Sequence, residues 1–151
     1  MFSILLISHG PLAQAMVKSA GMVGGHDGRA HAIEIDRDTK KEHLKEQIRK
    51  KITELLALGA VVVLTDIPLG TPFNTVLSLM GELDFIHLTG MNLSMVIELF
   101  LASGDEGPLE EAVRGAIAGA KEKILHVNDF LSQVRNQAEE DEGSSTLPDM
   151  D

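Results

Sequence analysis

The sequence predicts an α/β protein in which a mostly parallel sheet is covered by helices on both faces. Short apolar runs of strand length alternate along the chain with longer segments whose apolar residues recur at helical spacing. The connections between them are rich in glycine and proline. The length of 151 residues and the hydrophobic content of 44% suit one domain with a substantial core.

The first part of the chain is predicted to form a strand, a helix and a second strand. Phe2–Ser8 is the first predicted strand, because it is short and almost entirely apolar. Pro11 suits the first turn of a helix, whose apolar residues then recur at helical spacing as far as residue 23. A glycine-rich turn over residues 24–28 follows, and Ala30–Ile35 is the second predicted strand.

The middle of the chain contains the clearest helix and the clearest strand. The helix is predicted over Thr39–Leu58, where Thr39 opens a capping-box sequence and the apolar residues form one stripe. Ala60–Thr65 is the predicted central strand, because it is uncharged and rich in β-branched residues. A helix follows from about residue 72 to residue 80, with Thr71 as its predicted N-cap.

The last part of the chain completes the alternation and ends in an acidic segment. Phe85–Thr89 is the fourth predicted strand. Two further helices are predicted over Leu93–Leu101 and Leu109–Glu122. Ile124–Val127 has the composition of a short last strand. Residues 1–135 are therefore the predicted domain, and residues 136–151 form an acidic tail that we expect to be disordered.

Composition excludes several classes of function. The formal charge of −10, from 23 acids against 13 bases, argues against binding to nucleic acid or anionic lipid. Aromatic residues make up only 3%, so stacking platforms for single-stranded nucleic acid are scarce. The lack of Cys excludes disulfide and thiolate chemistry. No apolar stretch approaches bilayer length and no signal peptide is recognisable, so we expect a cytoplasmic protein.

Two reactive side chains stand where predicted strands end. His9 closes the first strand in Ser8-His9-Gly10-Pro11, and Asp66 directly follows the third. The carboxyl ends of parallel strands share one edge of a sheet, so we expect these two side chains to be neighbours. A carboxylate bonded to one ring nitrogen fixes the tautomer, leaves the other nitrogen free for attack and stabilises a cationic ring. The pair therefore predicts a nucleophilic histidine.

A second segment supplies anion-binding groups beside that histidine: Asp66-Ile67-Pro68-Leu69-Gly70-Thr71-Pro72-Phe73-Asn74. Gly70 permits a tight turn or a close approach of the backbone. Thr71, as an N-cap, aims a hydroxyl and the first N–H groups of its helix at an oxyanion near His9. A nucleophile, an orienting acid and oxyanion donors are the parts that phosphoryl transfer requires.

Three segments, in chain order, resemble the EIIA component of mannose-family sugar phosphotransferase systems. They are Ser8-His9-Gly10, Asp66-x-x-x-Gly70-Thr71-Pro72-Phe73-Asn74 and Gly90-Met91-Asn92-Leu93. Each follows a predicted strand, and the resemblance extends over roughly residues 2–130. One such segment is weak evidence, but three in this order are a specific combination.

The resemblance implies a fold and a set of partners. The implied fold is a doubly wound sheet in a cytoplasmic homodimer, with a late antiparallel strand exchanged between subunits, for which Ile124–Val127 is the candidate. Phospho-HPr is the implied phosphoryl donor, and a histidine of EIIB, here on a separate chain, is the acceptor. The membrane components EIIC and EIID take part indirectly. The sugar itself is not contacted, so mannose, fructose, sorbose, an amino sugar and gluconate all stay open.

The resemblance also implies a role for each site residue. His9 is the phosphorylated residue, and Asp66 is its hydrogen-bond partner. The other implied site residues are Thr71, Gly70 and Gly10 around the phosphoryl group, with Asn74 and Asn92 in support. No metal or cofactor is implied, because the phosphoryl group arrives activated as a phosphoramidate and positioning supplies the catalysis.

The sequence departs from the family pattern at two places. Pro68-Leu69 stands where family members often have an aromatic residue followed by Gly, and Ser94 stands where Pro is common. Neither departure removes a phosphotransfer residue. We therefore expect them to alter the shape of the loop and the partner surface rather than the chemistry.

Two other interpretations stay open. The phosphocarrier subunit of a dihydroxyacetone kinase resembles this fold, although the Gly70–Asn74 sequence favours the sugar-transport version. The second alternative is a non-catalytic, flavodoxin-like module that binds a small anion at the same edge. Replacement of His9 by Gln separates this module from a phosphocarrier, because the module keeps its binding whereas a phosphocarrier loses all transfer.

Overall fold

Strands and helices alternate along the chain, as the sequence predicts. A computed structural model describes residues 1–25 and 28–143. In chain order the elements are β1 (Phe2–His9), α1 (Leu12–Gly24), β2 (Ala30–Ile35), α2 (Lys41–Leu56), β3 (Ala60–Thr65), α3 (Thr71–Leu77), β4 (Ile86–Thr89), α4 (Leu93–Ala102), α5 (Leu109–Glu122) and α6 (Val127–Gly143). No helix in the described ranges has both the length and the apolar character needed to cross a membrane.

The four strands form one sheet in the order β2-β1-β3-β4, and all neighbouring pairs are parallel. This arrangement confirms the predicted doubly wound, parallel sheet. The chain moves outward from β1 to β2 and then returns to the other side of β1 to form β3. The carboxyl ends of β1 and β3 therefore flank the point where the winding reverses, which is where open α/β sheets bind ligands.

Helices cover both faces of the sheet. On one face, alternate residues of β1 and β3 pack against α1, α4 and α5. On the other face, the intervening residues pack against α2 and α3. Residues Ile4 to Ile7 are completely buried. Burial on both faces explains why β1 is a continuous apolar run rather than an alternating one.

The predicted last strand is wrong. Residues 124–126 form an irregular connection, and helix α6 begins at Val127. A strand must pair with a neighbour to satisfy its backbone groups, whereas a helix satisfies them internally. The apolar residues from Val127 to Val134 recur at helical spacing, so this segment is amphipathic as a helix.

Part of the predicted disordered tail is helical. Helix α6 extends to Gly143, so residues 136–143 of the acidic segment belong to it, and residues 144–151 lie outside the described ranges. The chain divides into two compact units, Met1–Ala120 and the residues from Lys121 onward. In the second unit, one stripe of α6 keeps half-exposed apolar side chains, namely Val127, Phe130, Leu131 and Val134.

Candidate functional site

The turn after β1 holds the backbone of His9 in place. The buried Ser8 hydroxyl accepts a hydrogen bond from the N–H of Ala13 in α1 at 2.8 Å and donates to the Gly10 carbonyl at 3.2 Å. Gly10 has φ of 56°, a left-handed conformation that favours glycine, and its N–H donates to the carbonyl of Ile35 in β2 at 3.0 Å. The imidazole therefore leaves the sheet from a fixed position at its carboxyl edge.

The predicted contact between His9 and Asp66 is confirmed. The His9 Nδ1 lies 2.7 Å from Asp66 Oδ2, and the same oxygen accepts the His9 backbone N–H at 2.9 Å. The other oxygen, Oδ1, accepts the Ile67 N–H at 2.9 Å. The Asp66 side chain is 9% exposed and the His9 side chain is 49% exposed. The carboxylate is thus fixed on the protein side of the ring, and the ring remains accessible from solvent.

The environment of Asp66 keeps its carboxyl group ionised. Burial raises the pKa of Asp66, but hydrogen bonds from the His9 backbone, the His9 ring and the Ile67 backbone outweigh it, so the pKa lies below its ordinary value. An ionised acceptor at Nδ1 favours the tautomer that carries the proton there. The lone pair of the neutral ring is then on Nε2, the nitrogen away from Asp66.

The loop after β3 packs directly against the His9 ring. A Cβ atom on Gly70 would lie 3.0 Å from His9 Cε1 and 3.6 Å from Nε2, so only glycine fits without displacing the ring. The preceding Leu69 is 82% exposed and has φ of 64°, which is unusual for a residue other than glycine. Leu69 therefore adopts a backbone conformation that glycine reaches more easily.

The predicted cap of α3 is wrong. Thr71 is the first helical residue, and the extended Gly70 takes the N-cap position. The Thr71 hydroxyl is consequently not used as a cap, and Thr71 lines a cavity beside His9. This cavity has a volume of about 630 Å³ and is lined by His9, Gly10, Ile35, Asp36, Arg37, Thr39, Lys41 and Thr71. His9, Gly10 and Thr71 are thus brought together as predicted.

The two predicted supporting residues lie outside that cavity. Asn74 donates its backbone N–H to the Gly70 carbonyl at 2.9 Å and lines a second cavity, which shares Thr71 and Lys41 with the first. Asn92 is the N-cap of α4, where its side-chain oxygen accepts the Met95 N–H at 3.0 Å. The presence of Asn at position 92 is therefore explained by its role as the N-cap of α4.

Sequence reasoning missed the residues that follow β2. Arg37, Thr39 and Lys41 all line the His9 cavity. The signal that identifies them is their position, because β2 ends at the same edge of the parallel sheet as β1 and β3. Among the side chains that the structure describes, those of residues 1–25 and 28–138, no group of three or more from His, Asp and Glu is arranged to hold a metal ion.

Comparison with known proteins places the chain among the components of sugar phosphotransferase systems. A sequence model described as "PTS system fructose IIA component", of the EIIA-man family, matches residues 3–117. The chain belongs to this EIIA family. It is 25% identical over 136 residues to the fructose-specific EIIA component of Bacillus subtilis, a match that covers 89% of this chain and 92% of that protein.

Further relatives agree with this assignment. The mannose-specific EIIAB component of Escherichia coli is 24% identical over 123 residues, which span 81% of this chain but only 38% of that longer protein. The PTS IIA protein associated with the fucose utilization operon of Streptococcus pneumoniae has 28% identity and a TM-score of 0.75, over 87% of this chain and 99% of that one. An EIIA structure from Streptococcus agalactiae, with 24% identity, shares the fold with a TM-score of 0.76 over 85% of this chain and 99% of that one.

Proposed function

We propose that this protein is a cytoplasmic phosphocarrier that accepts a phosphoryl group from phospho-HPr on His9 and passes it to a histidine of EIIB. One observation carries the proposal. The His9 ring is bound through Nδ1 to the Asp66 carboxylate at 2.7 Å, and the half-exposed ring lines a cavity large enough for a phosphoryl group.

The chemistry follows from the orientation of the ring. The Nε2 lone pair of His9 attacks phosphorus, and the new Nε2–P bond forms as the N–P bond to the donor histidine breaks. The proton on Nδ1 stays in place, so the phosphorylated ring becomes a cation whose charge the Asp66 carboxylate balances. Transfer to EIIB runs the same exchange in reverse, with the histidine of EIIB as the attacking group.

The residues around the His9 ring have different roles in binding and positioning the phosphoryl group. Thr71 lines the cavity, and its hydroxyl is the proposed donor to a phosphoryl oxygen. Gly70 allows the loop to approach the ring closely. The Gly10 N–H is bonded to the Ile35 carbonyl, so Gly10 contributes the left-handed turn rather than a donor. No metal or cofactor takes part in this proposal, because the phosphoryl group moves between nitrogen atoms.

The partners follow from the family. We propose that EIIB receives the phosphoryl group and that the membrane components EIIC and EIID take part through EIIB. Relatives are named for fructose and for mannose, which supports a sugar of this general type without choosing between them. These names also favour sugar transport over a dihydroxyacetone kinase subunit.

A homodimer is part of the same proposal. The resemblance to the family implies it, and the half-exposed apolar stripe of α6 supports it. Leaving such an apolar stripe exposed to water along a helix of 17 residues is unfavourable in free energy, and burial against a second subunit would relieve it.

The decisive experiment is phosphorylation in a defined mixture. The chain is incubated with Enzyme I, HPr and phosphoenolpyruvate, and the labelled residue is mapped by mass spectrometry. We expect one label, on His9, and no label on the His9→Gln variant. The His43→Gln variant is the matched control, because His43 is exposed on α2 and lies outside the His9 cavity.

Two results contradict the proposal. A label on another histidine refutes the site, and the absence of any label on the wild-type chain refutes the function. A His9→Gln variant that still binds its partner or anion while the wild type is never phosphorylated favours the non-catalytic anion-binding module.

A further inference from the structure

The connection between β2 and α2 brings two cations to the cavity beside His9. We propose that Arg37 and Lys41 bind the oxygens of the phosphoryl group while it is attached to His9. They thereby raise the stability of the phosphorylated state. This inference rests on the proposed function and adds two residues to its site.

The sheet determines where these residues lie. His9 and Ile35 are register partners at the ends of the parallel strands β1 and β2, so the residues after Ile35 emerge beside the histidine. The connection then closes as a tight turn, in which Thr39 donates its N–H to the Asp36 carbonyl and its hydroxyl accepts the Asp36 N–H, both at 3.1 Å. The turn leaves Arg37 and Lys41 lining the same cavity as His9.

The two cations are available for an anionic ligand. Among the described residues, neither Arg37 nor Lys41 forms an ion pair, whereas Lys45, one turn further along α2, lies 3.7 Å from a carboxylate oxygen of Glu82. Asp36 also lines the cavity, so its lining carries two cations and one carboxylate when His9 is neutral. This local excess of positive charge occurs in a chain whose formal charge is −10.

Phosphorylation creates the charge that these residues match. The phosphoryl group carries a charge of about −2. The Asp66 carboxylate lies at the opposite nitrogen of the ring, where it balances the positive imidazolium, and the negative phosphoryl oxygens need cationic partners of their own. Charge-assisted hydrogen bonds from a guanidinium and an ammonium group are among the strongest that such oxygens accept. Bonds of this kind exist only after phosphorylation, so they shift the equilibrium toward the phosphorylated protein.

The test measures the equilibrium constant for phosphoryl exchange between phospho-HPr and this protein. We expect Arg37→Gln and Lys41→Gln each to lower this constant by about tenfold, as the loss of a charge-assisted hydrogen bond implies. The Lys41→Arg variant should restore most of it. An equilibrium constant is the right readout, because a change in the docking of HPr alters the forward and reverse rates equally and leaves their ratio unchanged.

Two matched controls remove the same charge elsewhere. Lys40 is adjacent to Lys41 in the chain but lines a different cavity, and Arg114 lies on α5, 3.7 Å from Glu110. We expect Lys40→Gln and Arg114→Gln to change the constant by less than about twofold, since only long-range, screened interactions are lost.

The outcomes distinguish the inference from the function on which it rests. If the wild type is labelled on His9 but the Arg37 and Lys41 variants behave like the Lys40 control, the inference is overturned and the proposed function stands. If the wild type is not labelled on His9, the proposed function fails and the inference fails with it.

Discussion

The orientation of the His9 imidazole depends on which hydrogen-bond donors each oxygen of the Asp66 carboxylate accepts. Asp66 Oδ2 accepts both the ring and the backbone N–H of His9, while Oδ1 accepts the N–H of Ile67. Because one oxygen holds the ring and the backbone of the same residue, the ring cannot rotate without losing a hydrogen bond. The preferred tautomer and the exposed Nε2 are consequences of this one contact.

Replacement of Asp66 by Asn should therefore impair the chemistry far more than the fold. An amide donates as well as accepts, so it favours the tautomer with the proton on Nε2 and no lone pair there for attack. We expect the rate of phosphorylation by phospho-HPr to fall about 10²–10⁴-fold, by analogy with loss of the orienting acid in catalytic triads. Asp84→Asn, an exposed change away from the cavity, is the control. A rate within about twofold of wild type for Asp66→Asn would refute the role of the carboxylate.

Gly70 gives a second test at the scale of one residue. In Gly70→Ala the new methyl group meets His9 Cε1 at 3.0 Å, so the ring or the loop has to move by a few tenths of an ångström. We expect the phosphorylation rate to fall about 10-fold or more, because small displacements of a reacting group are costly. Thermal unfolding should change little. Gly81→Ala is the matched control, since a Cβ there meets nothing within 4 Å and its rate should equal that of wild type.

At the scale of secondary-structure elements, the four strands of the sheet are easier to predict than the N-terminal caps of α2 and α3. The bounds predicted for β2, β3 and α5 agree with the structure, because each is set by a run of apolar or periodic residues between glycines or charges. The predicted caps of α2 and α3 are wrong. The Thr39 hydroxyl accepts the Asp36 N–H before α2 begins, and the extended Gly70 replaces Thr71 at the start of α3. Caps depend on the path of the preceding turn, which local sequence does not fix.

We predict that Asn92 stabilises helix α4 rather than taking part in phosphoryl transfer. Its side chain caps α4, so Asn92→Ala should lower the free energy of unfolding by about 1 kcal/mol. Asn92→Asp should retain most of this stability, because a carboxylate accepts the same N–H. Denaturant unfolding measures both variants. Phosphorylation of His9 at equal concentrations of folded protein should be unchanged, and a marked loss of transfer in Asn92→Asp would instead place Asn92 in the site.

At the scale of the whole molecule, the lowered pKa of Asp66 couples stability to pH. The folded protein binds a proton at Asp66 less readily than the unfolded chain, so this group stabilises the fold above its ordinary pKa of 3.8. The contribution declines as the pH falls through the folded-state pKa and is absent below it. We expect the difference in unfolding free energy between wild type and Asp66→Asn to shrink as the pH is lowered from about 5 into the acid range. A difference that is constant over this range would contradict the assignment.

The proposed homodimer is also a property of the whole molecule. Sedimentation equilibrium of the full chain should give twice the mass of one chain at micromolar concentration, since subunits that bury an apolar surface associate tightly. Phosphorylation should not change this mass, because the site residues all belong to one chain. The mass of a single chain under the same conditions would refute the homodimer.

Sequence alone is sufficient to predict the four-stranded parallel sheet, the edge at which the site lies and the pairing of His9 with Asp66. These features follow from hydrophobic periodicity and from the rule that parallel strands end together. The folded structure is needed to identify three further features: the contribution of the turn after β2, the fit of Gly70 against the ring and the helical form of the segment after α5. The first two depend on distances between residues that are remote in sequence. The third differs from the expected strand because the segment satisfies its backbone groups within a helix, without a neighbouring strand.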